Sequence, residues 1–489
     1  MRFCFARERM RATICRGTRI RAAALFLMVF AGAALGAQGQ AQAQQPAAAK
    51  VYTLDQAISY ALANYPAVRA SLERVNASQS GINLARTQYL PTLSGVYQDS
   101  RATQNQVPGI WFPTAVTPTV EGPIGGNSGQ SFWSSQMAAL FSWEPIDFGL
   151  RPAAVTRARS AVDKSDADLA LTKLQVAGSA GDYFLMALAS QQAAAAAQAN
   201  IERWQVFDQA IQDLVSNELR PGADGSRADA QLALAKTQFF RAQQNEQVTL
   251  ATLAALMGTA GSAIRLDGGP LLNLPPADSL PSPAPSDHPL ARDEMAEVRE
   301  IQAQEKILDK TDYPRIYLQA EGFARGSDIP NNSTTIGSAD GLEPGRGNWI
   351  AGVTVTFPNV FDFKALKWQK QIWKADERSQ QAAYDKTIQD LTGQAQVALS
   401  QLNSAQLVAQ QTAVELTAAR ASETQSRARY DASLATLVEV ADAENLLAQA
   451  EADDAVARLN VWRGLFDVAY AQGDLQPFLD LLRSAAAGH

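Results

Sequence analysis

Four stretches of this chain alternate apolar and polar residues with period two, and two much longer stretches repeat apolar residues every three and four positions. Period two is the signature of a strand. Strands are expected at 92–103, 131–145, 314–325 and 348–359. In the second, Trp133, Met137, Ala139, Phe141 and Trp143 share a face. In the third, Ile316, Leu318, Ala320 and Gly322 oppose Gln319, Glu321 and Arg325. In the fourth, Trp349, Ala351, Val353, Val355 and Phe357 oppose Thr354 and Thr356. Strands of about 10 to 12 residues match a tilted bilayer crossing. Trp133, Trp143 and Trp349, near strand ends, suit the two membrane interfaces. A soluble sandwich alternates in the same way, so the strands alone leave both readings open.

The longer pattern is stronger. Residues 151–220 contain no proline beyond Pro152 and only Gly178 and Gly181; residues 364–433 contain no proline and only Gly393. Each stretch predicts a helix of roughly 100 Å, about three times the thickness of a bilayer core. In the second, Tyr384, Ile388, Leu391, Ala395, Ala398, Leu402, Ala405, Ala409, Thr412 and Leu416 keep a heptad step, which predicts coiled-coil-like packing. Many of the remaining positions are Gln, Asp, Arg and Ser. Such helices cannot lie in lipid and must project into water.

The chain also repeats itself. Tyr65-Pro66 and Leu90-Pro91 are answered by His288-Pro289 and Tyr313-Pro314, Asp147-Phe148 by Asp362-Phe363, and Asp229-Ala230 by Asp442-Ala443. The offsets are 223, 215 and 213 residues, the mark of a tandem duplication. A helix is expected at 53–86, with Thr53 and Gln56 as a capping box and Pro66 as an interruption. Asp229 reads as an N-cap. The expected organisation is a leader at 1–43, a first repeat at 44–267, a proline-rich linker at 268–289, a second repeat at 290–473 and a tail at 474–489. Loops 104–130 and 326–347 are too rich in Pro, Gly, Asn and Ser for core elements.

The leader reading rests on seven arginines, an apolar run at 22–35 and Ala41-Gln42-Ala43. It is a secretory signal, too short to span a membrane. Cleavage is expected after Ala43, with Ala37 as the alternative. The chain carries −7; losing seven Arg and Glu8, a net +6, leaves −7 − 6 = −13. That balance argues against nucleic acid. Both cysteines, Cys4 and Cys15, fall in the leader, so no disulfide or thiol chemistry is expected. The two histidines, His288 and His489, have no ligand-spaced companion, and no nucleophile elbow, P-loop or dinucleotide fingerprint occurs. No enzyme activity, metal or cofactor is expected.

Four strands cannot close a membrane barrel alone, since the smallest have about eight. If these strands span a membrane, several copies must share one barrel. At this point the chain resembles the TolC-like outer membrane efflux proteins, over about residues 53–473. The resemblance is carried by Leu54-Asp55-Gln56-Ala57, by Tyr89-Leu90-Pro91 and by two helical turnarounds. Residues 222–229 read Gly-Ala-Asp-Gly-Ser-Arg-Ala-Asp; residues 430–442 read Tyr-Asp-Ala-Ser-Leu-Ala-Thr-Leu-Val-Glu-Val-Ala-Asp.

The resemblance implies a mixed α+β membrane protein. Three protomers would each give four strands to a 12-stranded β-barrel and long helices to a periplasmic α-barrel. It implies a homotrimer in outer membrane lipid, working with a periplasmic adaptor (membrane fusion) protein and an inner-membrane efflux pump or transporter. The function implied is an exit duct for tripartite efflux or type I secretion. The alternative is a secreted or periplasmic coiled-coil scaffold without a channel. Residue by residue, it implies acidic entrance rings at Glu439 and Asp442 and an entrance lock involving Tyr430, whose hydroxyl bonds to a neighbouring helix, with Asp229 and Arg227. Gly222, Ala223, Ser433 and Leu434 would be the adaptor-contacting tips. Two departures stand out: Ala435 replaces the family arginine and Ser433 the turn glycine, so Arg227 or Arg220 is the substitute cation. The plainer reading of Glu439 and Asp442 is an acidic first turn of a helix.

Overall fold

The computed structural model describes residues 50–103, 131–276, 284–327, 339–358 and 363–487. The leader, loop 104–130, Asp362 and His489 lie outside the described residues, as do parts of the linker and of the second loop. In chain order the elements are β1 (Lys50–Tyr52), α1 (Leu54–Asn64), α2 (Pro66–Thr87), β2 (Thr92–Thr103), β3 (Ser131–Ile146), α3 (Leu150–Ser216), α4 (Gly222–Leu256), β4 (Ile264–Leu266), α5 (Pro289–Lys310), β5 (Arg315–Ser327), β6 (Arg346–Thr356), α6 (Phe363–Asp431), α7 (Leu437–Ala471) and α8 (Gln476–Ala487).

The helix expected over 53–86 is two helices. Thr53 accepts from the Gln56 backbone N–H and the Gln56 side chain returns the bond, so the capping box forms. Tyr65 is then extended (φ −67°, ψ 127°), as a residue before proline prefers. Pro66 restarts the helix at its first position, where a missing N–H costs nothing.

The four long strands form one antiparallel sheet in the order β2-β3-β5-β6. Its register aligns the apolar rows across strands. Leu93, Phe141, Ala320 and Ala351 stand side by side, as do Trp143, Leu318 and Val353. This apolar face is the exposed one: Leu93, Met137, Phe141, Trp143, Val353 and Trp349, the last at 81 %, all face outward. On the other face Gln136 and Glu321 are buried. A soluble sheet buries its apolar side; here that side is the exposed one. Pro145 cannot donate a ladder bond, and the β3–β5 register shifts between Trp143 and Ile146.

Helix α3 has 67 residues and α6 has 69. α3 packs on α4 and α7, and α6 on α7. The heptad seam of α6 faces inward: Leu391, Ala398, Leu402, Ala409 and Thr412 are buried. Among the described residues no helix is long and apolar enough to cross a membrane.

The main core lies where the middle of α3 meets both helical hairpins. Phe184, Leu185 and Leu188 of α3 pack with Leu54, Ile58, Leu253, Met257, Trp462, Phe466 and Phe478. Stretches read as linker and tail contribute to it. Leu271 is buried, the Asn273 carbonyl accepts from Trp462 Nε1 at 2.8 Å, and α8 inserts Phe478 beside Trp462 and Phe466. At Gly178 and Gly181 the backbone of α3 lies directly against aromatic rings of α7. A Cβ at either position would lie 2.3 Å from the ring of Tyr470 or Phe466 respectively.

His288 ties the start of α5 to the end of α7. Its Nδ1 accepts from the Leu290 backbone N–H at 3.1 Å, so the ring must be neutral at that nitrogen. Burial pushes its pKa down from the usual 6.5, opposed by a hydrogen bond to the Tyr470 backbone. The unfolded chain therefore takes up the proton first, and this group's contribution to stability falls as pH drops below about 6.5. Asp467 acts oppositely over the same range. Burial and the Asp182 charge, against Arg463, push its carboxyl up to about 6, so its contribution falls as pH rises through that value. Comparing the wild type with His288→Asn in thermal melts isolates the histidine. The wild type is expected to lose more stability than the variant between neutral pH and pH about 5.

Candidate functional site

The two long hairpins turn in the same way. At the first turn Glu218 is left-handed (φ 57°), and the Leu219 N–H reaches back to the Leu214 carbonyl at 2.9 Å. At the second Ser433 is left-handed (φ 59°), and the Leu434 N–H reaches back to the Arg429 carbonyl at 2.8 Å. Both are Schellman turns, closed here without the usual glycine. Each leaves a leucine at its tip, Leu219 at 69 % and Leu434 at 70 % exposure. Of the tip residues expected from sequence, Ser433 and Leu434 form the second turn. Gly222 and Ala223 instead lie in the first turn of α4, which starts after Pro221. Asp229 is two turns inside α4 and exposed, so it caps nothing; Arg227 is also exposed there. The first turn is at 217–221, not 222–229.

Behind the turns lies a second cluster of Trp204, Phe207, Ile211, Tyr430, Leu437 and Val440. Tyr430 meets Phe207 edge-on at 5.5 Å. The Arg220 guanidinium lies 4.5 Å over the Tyr430 ring and donates to its backbone carbonyl at 3.3 Å. Arg220 is thus the cation that engages Tyr430, and Arg227 is not. The Tyr430 hydroxyl is buried without a hydrogen-bond partner among the described residues. Within this chain the tyrosine is held by its ring. Burial raises the hydroxyl's pKa, opposed by Arg220.

Glu439 completes a capping box with Thr436 and lies 3.7 Å from Arg429. Asp442 is exposed one turn further along α7. Both carboxylates share the α7 face next to the tip.

Sequence reading missed an ion cluster above this point. Arg203 of α3 reaches Glu444 at 3.2 Å and Glu451 at 3.0 Å, both on α7. Glu444 is only 2 % exposed. Glu423 of α6 faces the same carboxylate and pairs with Arg427 at 3.7 Å. Burial, then repulsion from Glu423, raises the pKa of Glu444 against the pull of Arg203 and Arg427. Arg203 thereby joins one hairpin to the other. A signal was available: Leu437, Val440, Glu444, Leu447, Glu451 and Asp454 keep the 3,4 step of a buried seam, with acids at apolar positions. Among the described residues no His, Cys, Asp and Glu group converges as a metal cluster.

The outer membrane efflux protein family model matches residues 57–259 and 281–465. The chain belongs to the outer membrane efflux protein family. Members of this family are outer membrane efflux proteins, and the fold is that of TolC-like outer membrane channels. Protein CyaE of Bordetella pertussis is 25% identical over 340 residues, covering 68% of this chain and 65% of that protein, less than two-thirds of its length. The fold matches the Campylobacter jejuni CmeC outer membrane channel with TM-score 0.68 at 14% identity, over 88% of this chain and 89% of that one. It matches the open state of the Neisseria gonorrhoeae MtrE outer membrane channel with TM-score 0.66 at 19% identity, over 86% and 89%. Trp133, Trp143 and Trp349 lie on the outward face of the sheet. Trp133 and Trp349 are near the loop end and Trp143 near the helix end, where its Nε1 donates to the Tyr89 carbonyl at 3.1 Å.

Proposed function

We propose that three copies of this chain close one 12-stranded barrel and form the exit duct of a tripartite efflux or type I secretion assembly. The observation that carries the reading is the four-stranded sheet. Its outward face is apolar, its outer strands β2 and β6 pair with nothing else among the described residues, and its aromatic residues stand at both ends. An open edge in lipid would strand backbone donors and acceptors, so β2 of one copy takes β6 of the next. The tandem repeat supplies one strand hairpin and one helical hairpin from each half. Helices α3, α4, α6 and α7 continue the barrel as a periplasmic tube. The Leu219 and Leu434 tips meet the adaptor hairpins, and an inner-membrane pump or transporter delivers cargo from below.

The test is the native mass of the mature protein extracted from outer membranes in mild detergent. A trimer that persists only with detergent is expected. A detergent-free monomer or dimer would remove the barrel and favour the coiled-coil scaffold.

In the trimer, Glu439 and Asp442 form two carboxylate rings at the duct entrance, a constriction that attracts cations. Glu439→Gln with Asp442→Asn removes the charge while glutamine keeps the capping box. The double variant is expected to weaken multivalent-cation block of single-channel current with thermal stability unchanged. Equal block would take both residues out of the pore.

A further inference from the structure

The first turns of α6 are crowded with Lys364, Lys367, Lys370 and Lys374, interleaved with Trp368, Ile372 and Trp373. They divide by what they meet. Lys370 and Lys374 turn toward α5, where they meet Asp309 at 2.8 Å and Glu305 at 3.7 Å. Lys364, Trp368 and Ile372 follow the i, i+4, i+8 spacing of one stripe, with Lys367 at its edge beside Trp368, and all four are exposed, Trp368 at 61 %. Among the described residues neither Lys364 nor Lys367 has an acidic partner. The Lys367 ammonium instead lies 6.0 Å over the Trp368 ring.

This face begins where the sheet ends. Strand β6 stops at Thr356 beside Arg315, and exposed Phe357 follows. Around the same end of the sheet, Phe148 stacks on Tyr313 at 6.1 Å, Lys310 lies 5.0 Å over Tyr313, and Arg151 lies 5.0 Å over Tyr89. A belt of aromatic rings with cations upon them thus surrounds the helix end of the sheet, in a chain whose net charge is −7. Arg151 is neutralised by Asp147, and Lys370 and Lys374 by Asp309 and Glu305, which leaves Lys310, Lys364 and Lys367 without an ion-pair partner among the described residues, a local positive balance that matches an anionic surface.

We propose that the Lys364, Lys367, Trp368 and Ile372 face of α6 is a docking surface for the anionic headgroups of phospholipids in the periplasmic leaflet of the outer membrane. The inference rests on the barrel reading above, which puts the end of β6 at that leaflet. Lys364 to Ile372 rises about 12 Å, so the stripe extends from the edge of the apolar core through the headgroup layer. Lys364, nearest the sheet, extends its stem outward so that its ammonium reaches the phosphates, and Trp368 lies at headgroup depth beside Lys367. Each such lysine is expected to tighten the contact about fivefold.

The test compares detergent-purified wild type with Lys364→Gln/Lys367→Gln in micelles doped with phosphatidylglycerol or with phosphatidylethanolamine. The reading is the thermal midpoint together with native mass. Phosphatidylglycerol should raise the wild-type midpoint more than phosphatidylethanolamine does, and the double variant should lose most of that difference while keeping its mass and its midpoint in undoped micelles. An equal lipid response in both proteins would overturn the proposal. So would dissociation of the variant in undoped micelles, which would assign the face to a neighbouring copy. An identical shift with inorganic phosphate would assign it to a free anion and also overturn the lipid reading. A protein that needs no detergent would instead sink the barrel reading, so the two failures remain distinct.

Discussion

Replacing Gly181 by valine is expected to cost about 3 kcal/mol and to reduce sharply the yield of folded protein. The position has no room. A Cβ there would stand 2.3 Å from Phe466 Cζ, and that ring is fixed edge-on against Phe478 at 5.3 Å in the main core. Relief would require α3 and α7 to move apart. Overpacking of this kind exceeds the roughly 1 kcal/mol that a glycine-to-alanine change gains in a helix interior. Gly393 is the matched control: it lies in α6 with nothing within 4 Å of its missing Cβ. Gly393→Ala is expected to raise stability by up to about 1 kcal/mol. Thermal unfolding of both variants decides. A benign Gly181→Val would mean the helices are farther apart than described. A harmful Gly393→Ala would mean that another copy packs on that face of α6.

The second large effect is expected at Arg203. Arg203→Ala leaves Glu444, at 2 % exposure, with Arg427 alone against Glu423, and Glu451 without its cation. Breaking a buried pair from one side costs about 3–5 kcal/mol, because a desolvated charge remains. Arg203 also joins the α3 hairpin to α7, so the variant should loosen the end that carries the tips. Thermal unfolding and single-channel conductance measure the two consequences: a lower midpoint and a larger or noisier current. Arg203→Ala with Glu444→Leu should recover most of the stability, since an apolar replacement removes the stranded charge. No recovery would show that the loss came from the packing of the Arg203 stem. Recovered stability with conductance still raised would identify the ion pair itself as the tie between the hairpins.

Much of the fold was legible because its periods are long and regular. The strand alternation located β2 and β3 to within a residue, and the register then brought the expected faces together. The heptad of α6 foretold its buried seam. Thr53 and Gln56 announced a cap that forms as expected. The first turn was misplaced for a physical reason. Gly222, Asp224 and Gly225 read as turn residues, but they open α4, while the left-handed position falls on Glu218, which carries no local signal. Gly178 and Gly181 stood out in the sequence, yet their role depends on Tyr470 and Phe466, nearly three hundred residues away. The Arg203–Glu444 pair is separated by 241 residues, and nothing local to either one names the other. Arg220 was one of two candidate cations, and only the fold could choose it over Arg227.

The glycine contact has a mechanical consequence. Helix α3 has no proline beyond its third residue and continues unbroken from Gly181 to Ser216, just before the tip at Leu219. The segment from the crossing to the tip is 219 − 181 = 38 residues, a lever of about 57 Å. A pivot of roughly 5° at the crossing would carry the tip through about 5 Å, close to one helical turn. In the trimer proposed above, such a pivot would widen the end of the tube without bending either helix, once the Arg203 ion pairs to α7 open. The fulcrum is a pair of residues with no side chains, bearing on two aromatic rings.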